Sequence, residues 1–198
     1  MELKHPDAGG SVFTSSLNPL MSLRQWVCWR AGEARTNGNL GKYPIGANGQ
    51  AQAWQTPLQW MTYEEAVQMA QTNSLAGVGI VLPLEVPAAG WLVAMDFDGV
   101  PLDGSDAARL VEVIGIHQRL GEPYAEVSPS GRGIRMLLRS DVPLMQARRR
   151  RSSTGHYDEL YCANVKWVTI TGKHWRGSGM PLATKALESL MNDWSSEE

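Results

Sequence analysis

The chain has 198 residues, of which 43% are hydrophobic and 19% are charged, and its formal net charge is −2. A chain of this length and apolar content can bury a core, as expected of an ordinary globular protein. The near-neutral charge argues against a protein that coats duplex DNA by charge alone, because such proteins are strongly basic. The sequence has no long apolar run and no signal pattern, so we expect a cytoplasmic protein without a membrane partner.

The elements predicted in chain order mix strands and helices without regular alternation. Residues 1–22 are expected to form a flexible arm, and a strand at residues 26–29 is followed by a loop up to residue 45. A helix should begin after Thr62, because Thr62 and Glu65 fit a capping box. Residues 80–82 and 91–98 are expected to be adjacent antiparallel strands, followed by a helix at 105–120. Later strands are predicted at 124–128, 134–139, 159–161 and 167–171, and a last helix at 181–194, which together indicate an α+β fold.

Asp96 and Asp98 stand two residues apart at the end of an apolar strand. Because strand side chains alternate, both carboxylates must project from one face, while Met95 and Phe97 project from the other. Two neighbouring anions favour a bound cation, and oxygen ligands suit Mg²⁺ or Mn²⁺. The alternative is a strand that ends in a solvated turn at Gly99.

A second feature is a tight glycine turn between two strand signals, formed by Ser130, Gly131, Arg132 and Gly133. Glycines let the backbone approach a ligand closely, and successive N–H groups in such turns can bind anions. Arg135 and Arg139 alternate with apolar residues, which predicts that both lie on one polar face where Arg135 could contact phosphate. The alternative is an ordinary hairpin in which Arg135 pairs with a carboxylate such as Glu126.

Two later segments also carry charge. Glu159 opens an apparent strand and, taken alone, is an ordinary edge carboxylate. A run of four cations is expected to form a mobile loop, which either contacts nucleic-acid phosphates or is a solvated charge run; it consists of Arg148, Arg149, Arg150 and Arg151.

In this order the motifs resemble those of the primase-polymerases of the archaeo-eukaryotic primase superfamily, especially its plasmid, phage and mobile-element group. That family has an Asp-x-Asp strand, a Ser-Gly-x-Gly-x-His turn, and a Glu-x-Tyr strand that leads to an aromatic-x-Thr-x-Thr-Gly segment. The matching segments lie within residues 26–172 and are Asp96-Phe97-Asp98, Ser130-Gly131-Arg132-Gly133-Ile134-Arg135, Glu159-Leu160-Tyr161 and Trp167-Val168-Thr169-Ile170-Thr171-Gly172. Two positions depart from the pattern, because Arg135 replaces the family's histidine and Lys166 replaces an arginine that relatives often have.

The resemblance implies an RNA-recognition-motif-like antiparallel catalytic sheet beside a smaller N-terminal α/β lobe. This catalytic domain would span residues 23–180, and residues 181–198 would form a C-terminal helix and a linker. Asp96, Asp98 and Glu159 would ligate two Mg²⁺ or Mn²⁺ ions. The triphosphate would be held by Ser130, Gly131, Arg132, Gly133, Arg135 and Lys166.

The activity implied is that of a template-dependent nucleotidyltransferase, a DNA primase or DNA polymerase that serves replication of a plasmid, phage or mobile element. Its partners would be a single-stranded DNA template, an NTP or dNTP, and a helicase domain or protein. The main alternative is a replication-initiator or single-stranded-DNA-binding module that keeps the nucleotide pocket but has little or no activity. A metal-dependent nuclease is less well supported, because it does not need the phosphate turn.

Overall fold

The computed structural model describes residues 10–34, 40–51, 53–82, 85–86, 90–144, 147–161 and 166–195. Its α-helices are α1 (Gly10–Met21), α2 (Tyr63–Thr72), α3 (Ala107–Arg119) and α4 (Thr184–Ser195). Its first strands are β1 (Trp26–Ala34), β2 (Leu40–Ile45), β3 (Gly77–Leu82), β4 (Glu85–Val86), β5 (Gly90–Asp98) and β6 (Tyr124–Val127). The later strands are β7 (Gly133–Ser140), β8 (Arg148–Arg151), β9 (Tyr157–Tyr161), β10 (Lys166–Ile170) and β11 (His174–Arg176). Two short 3-10 helices, Ala53–Gln55 and Pro57–Gln59, precede α2.

The strands form two sheets. A four-stranded sheet has the order β10-β3-β1-β2, and a seven-stranded sheet has the order β11-β6-β7-β5-β9-β8, with β4 added to β5. Every strand pairing in these sheets is antiparallel. The α+β class expected from the sequence is therefore confirmed. None of the helices in the described residues is long and apolar enough to cross a membrane.

The expected pairing of residues 80–82 with residues 91–98 is wrong. Strand β3 lies between β1 and β10 in the smaller sheet, whereas β5 lies between β7 and β9 in the larger one. The hairpin arm next to β5 is the two-residue strand β4, in which Glu85 lies opposite Trp91. An apolar run shows that a strand is buried but does not identify its neighbour, and β10 reaches β3 from far along the chain.

The central strand β5 separates two hydrophobic cores. Leu92 and Ala94 lie in a first core that also contains residues of the four-stranded sheet, α1 and α2. Met95 and Phe97 lie in a second core, which α3 and α4 cover. This alternation places Asp96 on the side of the first core, at the end of the strand where the apolar side chains stop.

Helix α1 replaces part of the expected flexible arm. Leu17 and Leu20 are fully buried in the first core, and the carbonyl of Leu20 accepts a hydrogen bond of 2.8 Å from the Trp26 indole. The two leucines are three residues apart and therefore share one face of a helix. The polar and glycine-rich composition of residues 1–22 favoured a flexible arm in spite of this spacing. The expectation is therefore wrong for Gly10–Met21, and residues 1–9 lie outside the described residues.

The other helices form where the sequence predicts them. At the start of α2, the Thr62 hydroxyl accepts from the backbone N–H of Glu65, whose carboxylate accepts from the Thr62 N–H at 2.8 Å. This capping box is the one expected from the sequence. Helix α4 falls within residues 181–198 and packs Leu187 and Leu190 into the second core. The division into an arm, a two-lobed domain and a C-terminal segment otherwise stays a prediction.

Candidate active site

Strand pairing brings the three predicted carboxylates to one region of the larger sheet. Asp96 on β5 lies directly opposite Glu159 on β9, and Asp98 follows two residues later on β5. Residues in such opposed positions have Cβ atoms about 4.5–5.5 Å apart. The side chains of Asp96 and Glu159 are 22% and 28% exposed, so both reach solvent. Residues more than sixty positions apart in the sequence thus share one acidic face.

The pKa of Asp98 shows that the other two carboxylates on this face repel its ionised form. Burial raises the pKa of Asp98, and the carboxylates of Asp96 and Glu159 raise it further. Lys42 and His156 act in the opposite direction and lower the pKa. Burial and the two neighbouring carboxylates therefore disfavour ionisation of Asp98, as is typical of sites that bind a cation or do chemistry.

Replacing Asp98 with asparagine is expected to raise the melting temperature at neutral pH when no divalent ion is present. The folded-state pKa of Asp98 lies above its unfolded value, so ionisation opposes folding. That cost appears as the pH rises through the unfolded-state pKa and is complete above the folded-state pKa. Thermal unfolding of Asp98→Asn and the wild type at pH 7 and pH 3 measures the effect.

The two proteins should differ at pH 7 and converge at pH 3, where Asp98 is protonated in both states. A Glu188→Gln variant serves as the control, because Glu188 is exposed on α4, which covers the other face of the sheet. An asparagine variant that melts at or below the wild-type temperature at pH 7 would contradict the proposed repulsion.

Arg135 does not lie on an open polar face. Its side chain is only 3% exposed, and it donates to the Asp96 carboxylate at 2.6 Å. Its other terminal nitrogen donates to the carbonyl and hydroxyl oxygens of Thr169 on β10. The expected exposure is wrong because β10 of the smaller sheet covers this position, which single-strand alternation cannot reveal. A direct contact between Arg135 and a triphosphate stays a prediction.

A buried carboxylate, Glu126, completes the surroundings of Arg135. It lies opposite Arg135 on β6 and accepts hydrogen bonds of 2.9 Å from the backbone N–H groups of Thr171 and Gly172. Burial raises the pKa of Glu126, whereas Arg135 and these two N–H groups lower it. Glu126 therefore ties the Thr-Gly end of the fourth motif to the larger sheet. The sequence indicates Glu126 only as an alternative partner for Arg135.

The glycine turn begins beside Asp98, because Gly133 lies opposite Asp98 on β7. Gly131 has a φ of +73°, and a Cβ on Gly133 would lie 2.8 Å from the Phe97 carbonyl oxygen. Both glycines are therefore required by the backbone. Arg132 is exposed, and its side chain has no hydrogen bond or ion pair within the described part of the chain. The turn thus presents a free cation near the acidic face. Two of its backbone N–H groups are used within the turn, because Gly131 donates to the Ser128 carbonyl at 2.9 Å and Arg132 donates to the Ser130 hydroxyl at 3.3 Å.

Lys166 also lies close to the carboxylates. Its Nζ is 3.3 Å from the centroid of the Tyr161 ring, and the Tyr161 hydroxyl donates to Glu159. Burial lowers the pKa of Lys166, whereas Glu159 and Asp96 raise it. The structure therefore brings Lys166 together with the acidic residues, as the resemblance implied, and its contact with nucleotide stays a prediction.

The four-arginine run is an edge strand, β8, and the expected mobile loop is wrong. Arg149 lies opposite Glu159 and Arg151 lies opposite Tyr157, so these two exposed arginines share the acidic face. The Arg149 guanidinium carbon is 3.4 Å from the centroid of the Tyr157 ring. Arg150 points to the other side and pairs there with Glu112 at 2.6 Å. Carboxylates of β9 and α3 neutralise part of the run, which allows consecutive cations to form a strand.

The carboxylates of Asp96, Asp98 and Glu159 are chemically suited to bind a hard cation. Carboxylate oxygens are the ligands that Mg²⁺ and Mn²⁺ prefer, and three carboxylates share this face. In their present conformations, no three acidic, histidine or cysteine side chains of the described residues converge closely enough to hold a metal ion. Asp96 is turned towards Arg135, and Glu159 accepts from Tyr161. A metal ion bound through the Oδ2 atom of Asp96 would therefore compete with the hydrogen bond from Arg135.

Comparison with known proteins points the same way as the motifs. No family model matches the chain. The chain is 28% identical over 165 residues, or 82% of its length, to a DNA primase-polymerase of Nitratiruptor phage NrS-1. It spans about a fifth of that protein, 21% of its length. This similarity agrees with the resemblance to primase-polymerases.

Two residues near Asp98, His156 and Lys42, are not among the site residues that the sequence indicates. Gly99 has a φ of +63°, and a Cβ there would lie 2.2 Å from the His156 ring, so the imidazole packs against the backbone just after Asp98. Lys42 on β2 also acts electrostatically on Asp98. His156 and Lys42 both lie in segments that the sequence predicts to be loops. Gly99 is the one local sign that another group packs closely at this point. A charged group that approaches from another sheet leaves no trace in the spacing of a motif.

Proposed function

We propose that this chain is a template-dependent nucleotidyltransferase, a DNA primase or DNA polymerase that joins nucleotides by two-metal-ion chemistry. The observation that carries the proposal is the register of β5 against β9, which sets Asp96 opposite Glu159 with Asp98 beside them. The similarity to a phage DNA primase-polymerase supports the same activity. Replication of a plasmid, phage or mobile element is the corresponding biological setting.

The carboxylates of Asp96, Asp98 and Glu159 would hold Mg²⁺ or Mn²⁺. When bound, such ions supply activation of an attacking hydroxyl and charge stabilisation at the leaving pyrophosphate. The turn formed by Ser130, Gly131, Arg132 and Gly133 would bind the phosphates of an NTP or dNTP, chiefly through the exposed guanidinium of Arg132. Lys166 would add a positive charge next to Glu159.

The arrangement also supports a primase-polymerase fold with an RNA-recognition-motif-like catalytic sheet. The strand β5 carries the aspartates between β7 and β9, while α3 and α4 cover the opposite face of the sheet. The four-stranded sheet, with β10 at one edge, would form the smaller lobe. A helicase domain or protein is a further proposed partner.

A template-directed synthesis assay tests the proposal. The chain is given a single-stranded DNA template with NTPs or dNTPs, with and without a primer, in Mg²⁺ or Mn²⁺. We expect incorporation that depends on the template and the divalent ion, together with release of pyrophosphate. Shortening of a labelled strand without pyrophosphate release would instead indicate a nuclease.

One observation favours the alternative of a binding module with little or no activity. The Asp96 carboxylate is engaged by Arg135 at 2.6 Å, which competes with a cation for that oxygen. In this alternative the chain binds nucleotide and single-stranded DNA but shows no incorporation with either ion. Equilibrium binding measured beside the synthesis assay separates the two functions.

Replacing Arg149 and Arg151 with serine is expected to weaken single-stranded DNA binding. These arginines share the acidic face with Tyr157, an aromatic ring on which a base could stack. Loss of two phosphate contacts should reduce the slope of log affinity against log salt by about 1.4. Fluorescence anisotropy of a labelled oligonucleotide over a salt series measures both quantities.

The control for this pair removes the same charge from α3 and α4, on the other face of the sheet, by Arg119→Gln with Lys185→Gln. The control should retain wild-type binding and slope. If the serine pair binds with unchanged affinity and salt dependence, β8 is only a solvated edge.

A further inference from the structure

A buried cluster of four charged side chains lies behind the acidic face, on the helix side of the larger sheet. Arg109 of α3 is fully buried and forms ion pairs with Asp158 and with Glu112, the latter at 2.9 Å. Arg150 of β8 closes the cluster, with contacts of 2.6 Å to Glu112 and 3.0 Å to Asp158. Two cations and two anions thus alternate, and Asp158, like Arg109, has no exposed surface.

The cluster makes a direct contact with the backbone of the acidic face. Arg109 donates to the Asp98 carbonyl oxygen from Nη2 at 2.9 Å and from Nε at 3.3 Å. Its ion-pair partner, Asp158, immediately precedes Glu159 on β9 and lies opposite Phe97 on β5. One guanidinium therefore binds the end of β5 at Asp98 and the strand that carries Glu159.

Stability alone does not account for this arrangement. Burying charged groups carries a desolvation cost, and well-packed apolar side chains of similar size are often at least as stable. The cluster does provide a rigid link at the point where Gly99, with its φ of +63°, turns the chain out of β5.

We infer that Arg109 and Asp158 are positioning residues that fix the backbone carrying Asp98 and Glu159, two proposed ligands of a divalent metal ion, an inference that rests on the proposed function. Arg109 acts on Asp98 through the carbonyl oxygen, and Asp158 acts on Glu159 through the adjoining backbone. Asp158 does not reach the acidic face, because alternation along β9 directs Asp158 and Glu159 to opposite sides of the sheet. Arg109 belongs to α3, which lies on the same side as Asp158.

A matched pair of substitutions tests the role. Asp158→Asn and Glu112→Gln each remove one negative charge from the same cluster with almost no change in shape. Only Asp158 adjoins Glu159 in the chain. Binding of Mn²⁺ alone is measured by the electron paramagnetic resonance signal of the free ion, and kcat and nucleotide KM are measured separately. Thermal unfolding reports how much of each variant is folded.

We expect Asp158→Asn to weaken Mn²⁺ affinity by about tenfold and to lower kcat, because groups that orient metal ligands typically have effects of this size. The nucleotide KM should change less than kcat, and Glu112→Gln should stay close to the wild type in Mn²⁺ affinity. If Asp158→Asn does not fold, Arg109→Lys decides the matter. The lysine keeps the charge but lacks the two N–H groups that reach the Asp98 carbonyl, and it should show the same loss of Mn²⁺ affinity.

Three results would overturn the inference. Equal Mn²⁺ affinity in the wild type, Asp158→Asn and Glu112→Gln would show that the cluster serves stability only, while the proposed function stands. Equal losses in the two variants would show a general effect of charge instead of positioning. A wild-type chain that neither binds Mn²⁺ nor incorporates nucleotides would overturn the proposed function and, with it, this inference.

Discussion

Replacing Asp96 and Asp98 together with alanine is expected to abolish template-directed synthesis while the chain stays folded. The two carboxylates supply two of the three proposed metal ligands, and metal ions contribute several kcal/mol of transition-state stabilisation, so the rate should fall by about a thousandfold or more. The fold should survive with a changed melting temperature, because relief of the repulsion at Asp98 opposes the loss of the ion pair between Asp96 and Arg135, which keeps its hydrogen bonds to Thr169. Nucleotide incorporation and thermal unfolding, measured side by side, check both parts.

The control for this double variant removes two carboxylates from exposed helix positions, Glu64 on α2 and Glu188 on α4. It changes the net charge by the same amount and should retain wild-type synthesis. Undiminished incorporation by the Asp96→Ala, Asp98→Ala chain would rule out the polymerase assignment. Loss of synthesis in both chains would point to net charge instead of metal ligation.

Replacing Arg135 with alanine is expected to reduce both stability and turnover. The substitution breaks the ion pair with Asp96 and the link to Thr169, and it removes the charge that lowers the pKa of the fully buried Glu126. Breaking a buried ion pair by removing one partner typically costs about 3–5 kcal/mol of unfolding free energy. Because the guanidinium is 3% exposed, we expect kcat to fall more than the nucleotide KM rises. Denaturant unfolding and steady-state kinetics measure these quantities.

Arg132 provides the matched comparison for Arg135. It is exposed in the glycine turn, so Arg132→Ala should raise the nucleotide KM while the unfolding free energy stays near the wild-type value. Arg135→His, which restores the residue of the resembling family, should retain more activity than Arg135→Ala. An Arg135→Ala chain with normal stability and kcat but a raised nucleotide KM would support the direct contact between Arg135 and phosphate that the motif predicts.

Local spacing was enough to indicate several parts of this protein. The Asp96-Phe97-Asp98 alternation predicted that Met95 and Phe97 lie on the face opposite the carboxylates, and the structure places both in the second core. The Thr62–Glu65 capping box predicted the start of α2. These predictions held because side-chain period and helix capping depend on residues within a few positions of each other.

The environment of each charged group was decided by tertiary structure. Arg135 reads as a surface cation along its own strand, yet Thr169, from a strand of the other sheet, covers it. The run from Arg148 to Arg151 reads as a solvated loop, yet β9 and α3 supply carboxylates that allow it to form an edge strand. The free energy of a charge depends on which partners reach it through space, and local sequence patterns carry no record of them.

The sequence by itself determined which residues could form an acidic face, a phosphate turn and an α+β fold, because each depends on local period and residue chemistry. Only the tertiary structure decided that Asp96 lies opposite Glu159, that Arg135 is buried against Asp96, and that Arg109 holds the carbonyl of Asp98. These contacts join strands and helices far apart in the chain. Their register is set by packing of two cores around β5, a property of the whole fold.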